Sequence, residues 1–284
     1  MKIGETIIGH DREPVIIAEA GLNHNGDINA ALEMVEVAAE CGADIVKFQT
    51  FKADQFCRPD DKLYPAFKAA ELPDDAWKRL KRRADREGIT FLSTPQNRTD
   101  LDLLLEAGVQ GIKIGSDDFT NLPLIRDYAN EGLPMILSCG MSYLIEVQAA
   151  MIAASSVPRA LLVCTSEYPC PAHHANLGRI RTLRGLYPPD LVPIGFSDHT
   201  KGYLAAATAV GLGACVFEKH FTLSHDMVGP DHWFSADPGE LREYVKMVRR
   251  AYSALGNGTV EPSVAEVQNK ARYQRKPGQQ LRAG

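Results

Sequence analysis

Residues 15–50 read VIIAEAGLNHNGDINAALEMVEVAAECGADIVKFQT. The stretch opens on an apolar run, Val15 to Gly21, broken only by Glu19, and closes on a second strand-like segment, Asp44 to Thr50, whose apolar Ile45, Val46 and Phe48 are interrupted by Lys47. Such near-continuous runs are expected of parallel strands buried on both faces. Between them Leu32, Val35, Ala38 and Ala39 recur three and four apart, the spacing of an amphipathic helix. Asn29 is the expected helix cap and Gly42 the expected stop. Strand, helix and strand in this order make one parallel crossover unit.

The unit recurs along the chain. Further strands are expected at 90–95, 111–116, 134–140, 160–165, 192–197 and 214–220, each followed by a helical pattern, the last running from Pro238 to Leu255. Eight such units place the chain in the α/β class and predict a (β/α)8 TIM barrel. The expected organisation is a single barrel domain over 1–256 and a polar arm or linker over 257–284. Residues 51–72 are expected to be a long loop, and a loop of that length in a barrel suits a lid or substrate wall.

The 284 residues are 45% hydrophobic and 24% charged, with a formal net charge of −5, which argues against nucleic acid or an anionic membrane as the main partner. No apolar run reaches the ~20 residues of a membrane span, and the first residues carry no secretory pattern. The 6 cysteines are scattered, with no CxxC pair, as expected of buried thiols in a reducing, cytoplasmic setting.

In a barrel of this kind the C-terminal strand ends carry the chemistry. Here they carry Glu19, Lys47, Thr94, Lys113 with Ser116, Ser138, Thr165 with Ser166, Ser197-Asp198-His199 and Glu218-Lys219-His220. His199 and His220 end neighbouring strands and could ligate one divalent ion, or serve as acid and base without it. Lys47, Thr94, Lys113, Ser116 and Ser138 suit a phosphate or carboxylate, since a buried lysine is costly without an anion; structural salt bridges to Glu19 or Asp118 are the alternative. Asn23-His24-Asn25-Gly26-Asp27 is turn chemistry, with His24 open between a structural and a functional role. Tyr168 and Gly229-Pro230-Asp231 could each hold a sugar or simply finish the rim.

Taken in order, these segments resemble the N-acetylneuraminate (sialic acid) synthase family, which includes legionaminate, pseudaminate and spore-coat polysaccharide synthases. The resemblance rests on IAEAG at 17–21 with NHNG at 23–26, VKFQT at 46–50, STP at 93–95, KIGS at 113–116, LSCGM at 137–141, CTSEYP at 164–169, GFSDHT at 195–200, EKHFT at 218–222 and GPD at 229–231. It implies condensation of phosphoenolpyruvate with an N-acetylated amino sugar to give a nine-carbon 2-keto acid and phosphate. It implies His199 and His220 as ligands of a divalent metal, usually Mn²⁺, with Mg²⁺ or Co²⁺ open. It also implies Lys47, Thr94, Lys113, Ser116, Ser138 and Ser197 as phosphoenolpyruvate-binding positions, Glu19 and Asp118 as acids at the reacting centre, and Asp231 and Tyr168, with Ser166 beside them, at the sugar. Family members usually add a C-terminal antifreeze-like domain whose arginine reaches the partner's sugar, and no position here matches it. A homodimer is open on the same grounds. Two other readings compete: a synthase for a phosphorylated acceptor, which needs a basic cluster beyond Arg58 and Arg98, and a non-catalytic barrel that binds phosphoenolpyruvate or sugar.

Overall fold

The structure, a computed structural model, describes residues 1–275 and 278. A short antiparallel hairpin, β1 (Lys2–Ile3) and β2 (Thr6–Ile7), precedes the barrel. The first half then runs β3 (Val15–Gly21), α1 (Ile28–Glu40), β4 (Ile45–Thr50), α2 (Ala53–Phe56), α3 (Tyr64–Ala70), α4 (Ala76–Glu87), β5 (Thr90–Pro95), α5 (Arg98–Ala107) and β6 (Ile112–Ile114). The second half runs α6 (Leu122–Ala129), β7 (Met135–Ser138), α7 (Leu144–Ala153), β8 (Arg159–Cys164), α8 (Gly178–Leu186), β9 (Ile194–Asp198), α9 (Leu204–Gly211), β10 (Val216–His220), α10 (Pro238–Leu255) and α11 (Val264–Tyr273). The sheet is 8-stranded and parallel, in the order β5-β4-β3-β10-β9-β8-β7-β6. β5 and β6 lie against each other where the ring closes, but no ladder joins them among the described residues. This is the expected (β/α)8 barrel.

Side chains alternate along each strand, and the alternation sorts the core into two compartments. One row faces the helices: Ile16, Ala18, Val46, Phe48, Phe91, Leu137, Leu161, Phe196 and Phe217 pack with the inner faces of the helices. The other row faces inward, and its lower layer is apolar, with Ile17, Ile45, Leu92, Ile136, Leu162 and Val216 packed together. Ile3 and Ile8, from and beside the hairpin, join this layer and plug the barrel floor. Removing Leu162 to alanine would cost ~2–5 kcal/mol, as for other large core truncations. Gly195 belongs to the same row: a Cβ there would lie 2.2 Å from the Val216 carbonyl oxygen and 2.6 Å from Leu162 Cδ2, so the space is already filled.

Three local details depart from expectation. The cap of α1 is Asp27, whose carboxylate accepts the Asn29 N–H at 2.8 Å, and Asn29 lies inside the helix. The stretch 51–72 is no plain loop, because α2 and α3 fold over a small cluster of Leu22, Phe51, Ala70, Phe56 and Phe67. The arm after 256 carries α11, started by a capping box in which Ser263 and Glu266 exchange hydrogen bonds. The end of the expected arm, 276–277 and 279–284, lies outside the described residues. Among the described residues no helix is long and apolar enough to cross a membrane.

Candidate active site

The inward row changes character two residues above the apolar floor. Ile17 is followed by Glu19, Ile45 by Lys47, Leu92 by Thr94, Ile136 by Ser138, Leu162 by Cys164, Gly195 by Ser197, and Val216 by Glu218 and then His220. The upper members line a cavity of about 530 Å³ at the C-terminal mouth, together with Lys113, Ser116, Ser166, Tyr168, His199 and Asp231. A depression of about 570 Å³ lies outside the barrel against α7 and α8, but it is lined mainly by Ile145, Met151, Ile152 and Leu186, with Arg159 and Tyr187 as its titratable groups and no carboxylate or histidine, so the mouth is the better candidate for chemistry.

Two buried lysines and two buried glutamates form its floor. Lys47 Nζ is 2.8 Å from Glu19 Oε2 and 3.7 Å from Glu218 Oε2, while Lys113 Nζ is 3.8 Å from the same Glu218 oxygen. Lys47 also donates to Thr94 Oγ1 at 3.1 Å, and Lys113 to Ser138 Oγ at 2.8 Å. Ser197 donates to Glu218 Oε1 at 2.9 Å, and Gln49 to Glu19 Oε1 at 3.3 Å. Burial opposes ionisation of Glu218, but Lys113 and Lys47 outweigh it and hold the carboxyl below its ordinary range. Glu19 goes the other way: burial pushes its carboxyl up to about 7, Lys47 opposes the shift and Glu218 adds to it. One carboxylate therefore stays charged between the lysines, while the other titrates near neutral pH.

Above this floor Ser116 and Ser166 converge over Gly140. A Cβ on Gly140 would stand 2.6 Å from Ser116 Oγ and 2.5 Å from Ser166 Oγ, so only glycine leaves both hydroxyls in place. Gly140 N–H donates to Ser116 Oγ at 3.1 Å, and the buried Ser166 hydroxyl has no hydrogen-bond partner among the described residues.

The two histidines sit side by side, their ring centroids 5.4 Å apart. His199 Nδ1 donates to the Thr165 carbonyl at 2.7 Å, which fixes the tautomer and leaves Nε2 with a free lone pair. Burial lowers the pKa of both imidazoles, against the raising effect of Glu218, so both are neutral at neutral pH. His220 Nδ1 is buried without a hydrogen bond, and Asp231 Oδ2 lies 3.9 Å away. Tyr168 packs its ring 4.1 Å from that of His199 and 5.1 Å from that of Phe234.

Asp118 is the expected site residue that does not line the cavity. Its Oδ1 accepts from Asn121 at 3.2 Å, in the turn after β6, whereas Asp117 beside it is on the cavity wall. With its amide nitrogen turned toward them, Gln96 donates to Asp117 Oδ2 at 3.2 Å and Asp118 Oδ2 at 3.3 Å and ties the pair together. Asp117, Gln49 and Gln96 were not expected as site residues, and Glu218, named among the strand-end residues, carried no expected role of its own. Glu218 was legible, because it stands two residues before His220 on the same inward row. Asp198 and Lys219 alternate to the outer face, where Lys219 donates to the Thr200 carbonyl and Asp198 accepts from Thr200 N at 2.8 Å.

The turn chemistry at 23–26 holds the segment that follows β10. Asn23 Nδ2 donates to the Phe221 carbonyl at 2.9 Å and to Ser235 Oγ at 3.0 Å, and Asn25 Nδ2 donates to the Val228 carbonyl at 2.9 Å. That segment delivers Asp231, Trp233 and Phe234 to the mouth. His24 is buried outside the cavity, its Nδ1 accepting from Gly26 N at 3.1 Å, which is a structural role. His225, Asp237 and Glu240 also cluster on the surface, but both carboxylates are engaged in capping α10.

The NeuB family model matches residues 34–260. The N,N'-diacetyllegionaminic acid synthase of Legionella pneumophila is 40% identical over 281 residues, 92% of this chain and 78% of its own length. The human N-acetylneuraminate-9-phosphate synthase is 36% identical over 267 residues, 89% of this chain and 74% of its own. A crystal structure of N-acetylneuraminic acid synthetase from Leptospira borgpetersenii, in complex with citrate, superimposes with a TM-score of 0.89 at 36% identity and covers 97% of this chain and 98% of that one.

Proposed function

The chain belongs to the NeuB family, the synthases of sialic-type acids, and we propose that it condenses phosphoenolpyruvate with the open-chain aldehyde of an N-acetylated amino sugar. The products are a nine-carbon 2-keto sugar acid and inorganic phosphate. The observation that carries this reading is the floor of the mouth, where Lys47 and Lys113 are buried around one charged glutamate beneath a pair of neutral histidines.

The lysines, with Thr94, Ser138, Ser116 and the unpartnered Ser166 hydroxyl, offer charge and directional donors to the phosphate and carboxylate of phosphoenolpyruvate. Glu218 stays ionised between them and, with Glu19, raises the Lys47 pKa against its burial, while burial lowers that of Lys113 despite Glu218, so both amines are fixed before substrate arrives and an incoming anion would favour the charged form of Lys113. In the reaction C3 of phosphoenolpyruvate bonds to the aldehyde carbon, water adds to C2, and the C2–O bond to phosphate breaks. Glu19, with a pKa near 7, is the group suited to take the proton from that water, with Asp117 on the wall in place of Asp118. Asp231 and Tyr168 are placed to hold sugar hydroxyls.

The donor set fits a divalent cation. His199 has a free Nε2, His220 has a buried nitrogen without a partner, and Asp231 is adjacent. His199 and His220 would hold the ion, and we favour Mn²⁺ with Mg²⁺ or Co²⁺ as substitutes. When bound it would polarise the aldehyde oxygen of the acceptor. The 6 cysteines are free thiols, which supports a reducing, cytoplasmic setting.

The test is phosphate release from phosphoenolpyruvate with Mn²⁺ and a panel of N-acylated amino sugars, with and without EDTA. Sugar-dependent release that EDTA stops, and that falls to background in His199→Ala and His220→Ala, supports the proposal. Release that persists in EDTA or in either variant overturns the metal assignment.

A further inference from the structure

The backbone ladder between β9 and β10 stops one step short of the histidine pair. Its last register sets Lys219 against Asp198. Among the described residues, His220 therefore has no ladder partner on β9, and His199 lies beyond the end of that strand. His220 is held from its other side, in register with Glu19 of β3. The link between the two histidines is made on the outer face of the sheet. Asp198 Oδ1 accepts from Thr200 N at 2.8 Å and from Thr200 Oγ1 at 2.7 Å, which closes a turn around His199. Lys219 Nζ donates to the Thr200 carbonyl and lies 3.8 Å from Asp198 Oδ2. The residue after His199 is thus gripped at its N, Oγ1 and O by the residue before His199 and the residue before His220. A tie runs from His220 through Lys219 and Thr200 to His199.

Neither side chain lines the mouth, and both are buried, Asp198 at 1% exposure and Lys219 at 4%. Tyr244 of α10 closes over them, its ring centroid 5.4 Å from Lys219 Nζ. A buried pair of this kind does little for stability. Taking two charges out of water offsets what they gain from each other, and well-packed apolar side chains of similar size do as well or better. Apolar side chains could not hold Thr200 by hydrogen bonds, and so could not fix the backbone on either side of His199. Resting on the metal assignment proposed above, we infer that Lys219 and Asp198 are positioning residues. From behind the sheet they set the spacing of His199 and His220, and through it the affinity of the mouth for a divalent ion.

The test is a Mn²⁺ titration of the intact protein without turnover, with the free ion followed by its electron paramagnetic resonance signal. The unaltered protein should bind Mn²⁺ and His199→Ala should not. Lys219→Met keeps the reach of the side chain and drops its charge. It should bind Mn²⁺ about 10- to 100-fold more weakly, as loss of a group that orients a metal ligand does. Asp198→Ala should do the same, and Asp198→Asn, which keeps an oxygen for the Thr200 N–H, should fall between it and the unaltered protein. In Lys219→Met the melting temperature and the metal-free affinity for phosphoenolpyruvate should hold, and kcat should recover at saturating Mn²⁺. Unchanged Mn²⁺ affinity in both Lys219→Met and Asp198→Ala overturns the inference and leaves the metal site intact. So does a loss matched by weaker phosphoenolpyruvate binding and a lower melting temperature, which marks a general loosening of the fold. If the unaltered protein binds no Mn²⁺, or His199→Ala binds it equally well, the metal assignment fails and this inference falls with it.

Discussion

Asp100 is a buried acid that the cavity does not use. Both carboxylate oxygens are enclosed at the start of α5 without a well-formed hydrogen bond, and burial pushes the carboxyl up to about 7. In the unfolded chain an aspartate loses its proton near ~3.9. Between the two values the folded state binds more protons, so stability falls as pH rises through that window and is lowest above it. Asp100→Asn should therefore leave thermal stability at pH ~4 little changed and raise it at pH ~8, by roughly 2–4 kcal/mol at ~1.4 kcal/mol for each unit of pKa. Melting curves at the two pH values check this, and equal shifts at both would remove the titration as cause. The same scale shows what the sequence made legible. Glu19, Lys47, Thr94, Ser138 and Ser197 were found because each follows an inward apolar residue by two on a regular strand. Asp117 and Asp118 were not separable, because β6 ends at Ile114 and the turn beyond it, not strand alternation, decides which carboxylate enters the mouth.

At the scale of elements, the proposed acceptor side of the mouth is a joint between two loops. Asn23 is buried and spans from the turn after β3 to both ends of the segment after β10, at Phe221 and Ser235. Asn23→Ala leaves those groups short of a partner, at ~1–3 kcal/mol, and frees the segment that carries Asp231 and Phe234. Steady-state kinetics should show the KM for the sugar rising about tenfold for each ~1.4 kcal/mol of lost positioning, with the KM for phosphoenolpyruvate nearly unchanged. A matching rise in both would mean that the whole barrel mouth had loosened. The eight strands and most flanking helices were legible because their periodicity extends over enough residues to be unambiguous. α2, with 4 residues, and α3, with 7, are too short to declare a period, so the aromatic cluster they build was visible only as a long loop. α11 does carry a sequence signal, since Ser263 followed three residues later by Glu266 is a capping-box pattern.

For the whole molecule, the apolar lower layer and its hairpin plug make the barrel floor a continuous solid, while the mouth is polar and open. The ring around that mouth is not uniform. Lys47 and Thr94 stand on β4 and β5, and Lys113 and Ser138 on β6 and β7, so the proposed anion cradle straddles the junction at which no ladder is found among the described residues. The backbone at Ile112–Ile114 should exchange its amide hydrogens sooner than β3 or β10, which are paired on both sides. A ligand held by both lysines crosses that gap. Phosphoenolpyruvate should slow exchange first at β5 and β6 and add about 2.7 kcal/mol of stability at a hundred times its Kd; protection spread evenly over all eight strands would contradict this. The substrate is then the keystone of the arch as well as the material worked beneath it, and the empty enzyme keeps one loose joint in its masonry.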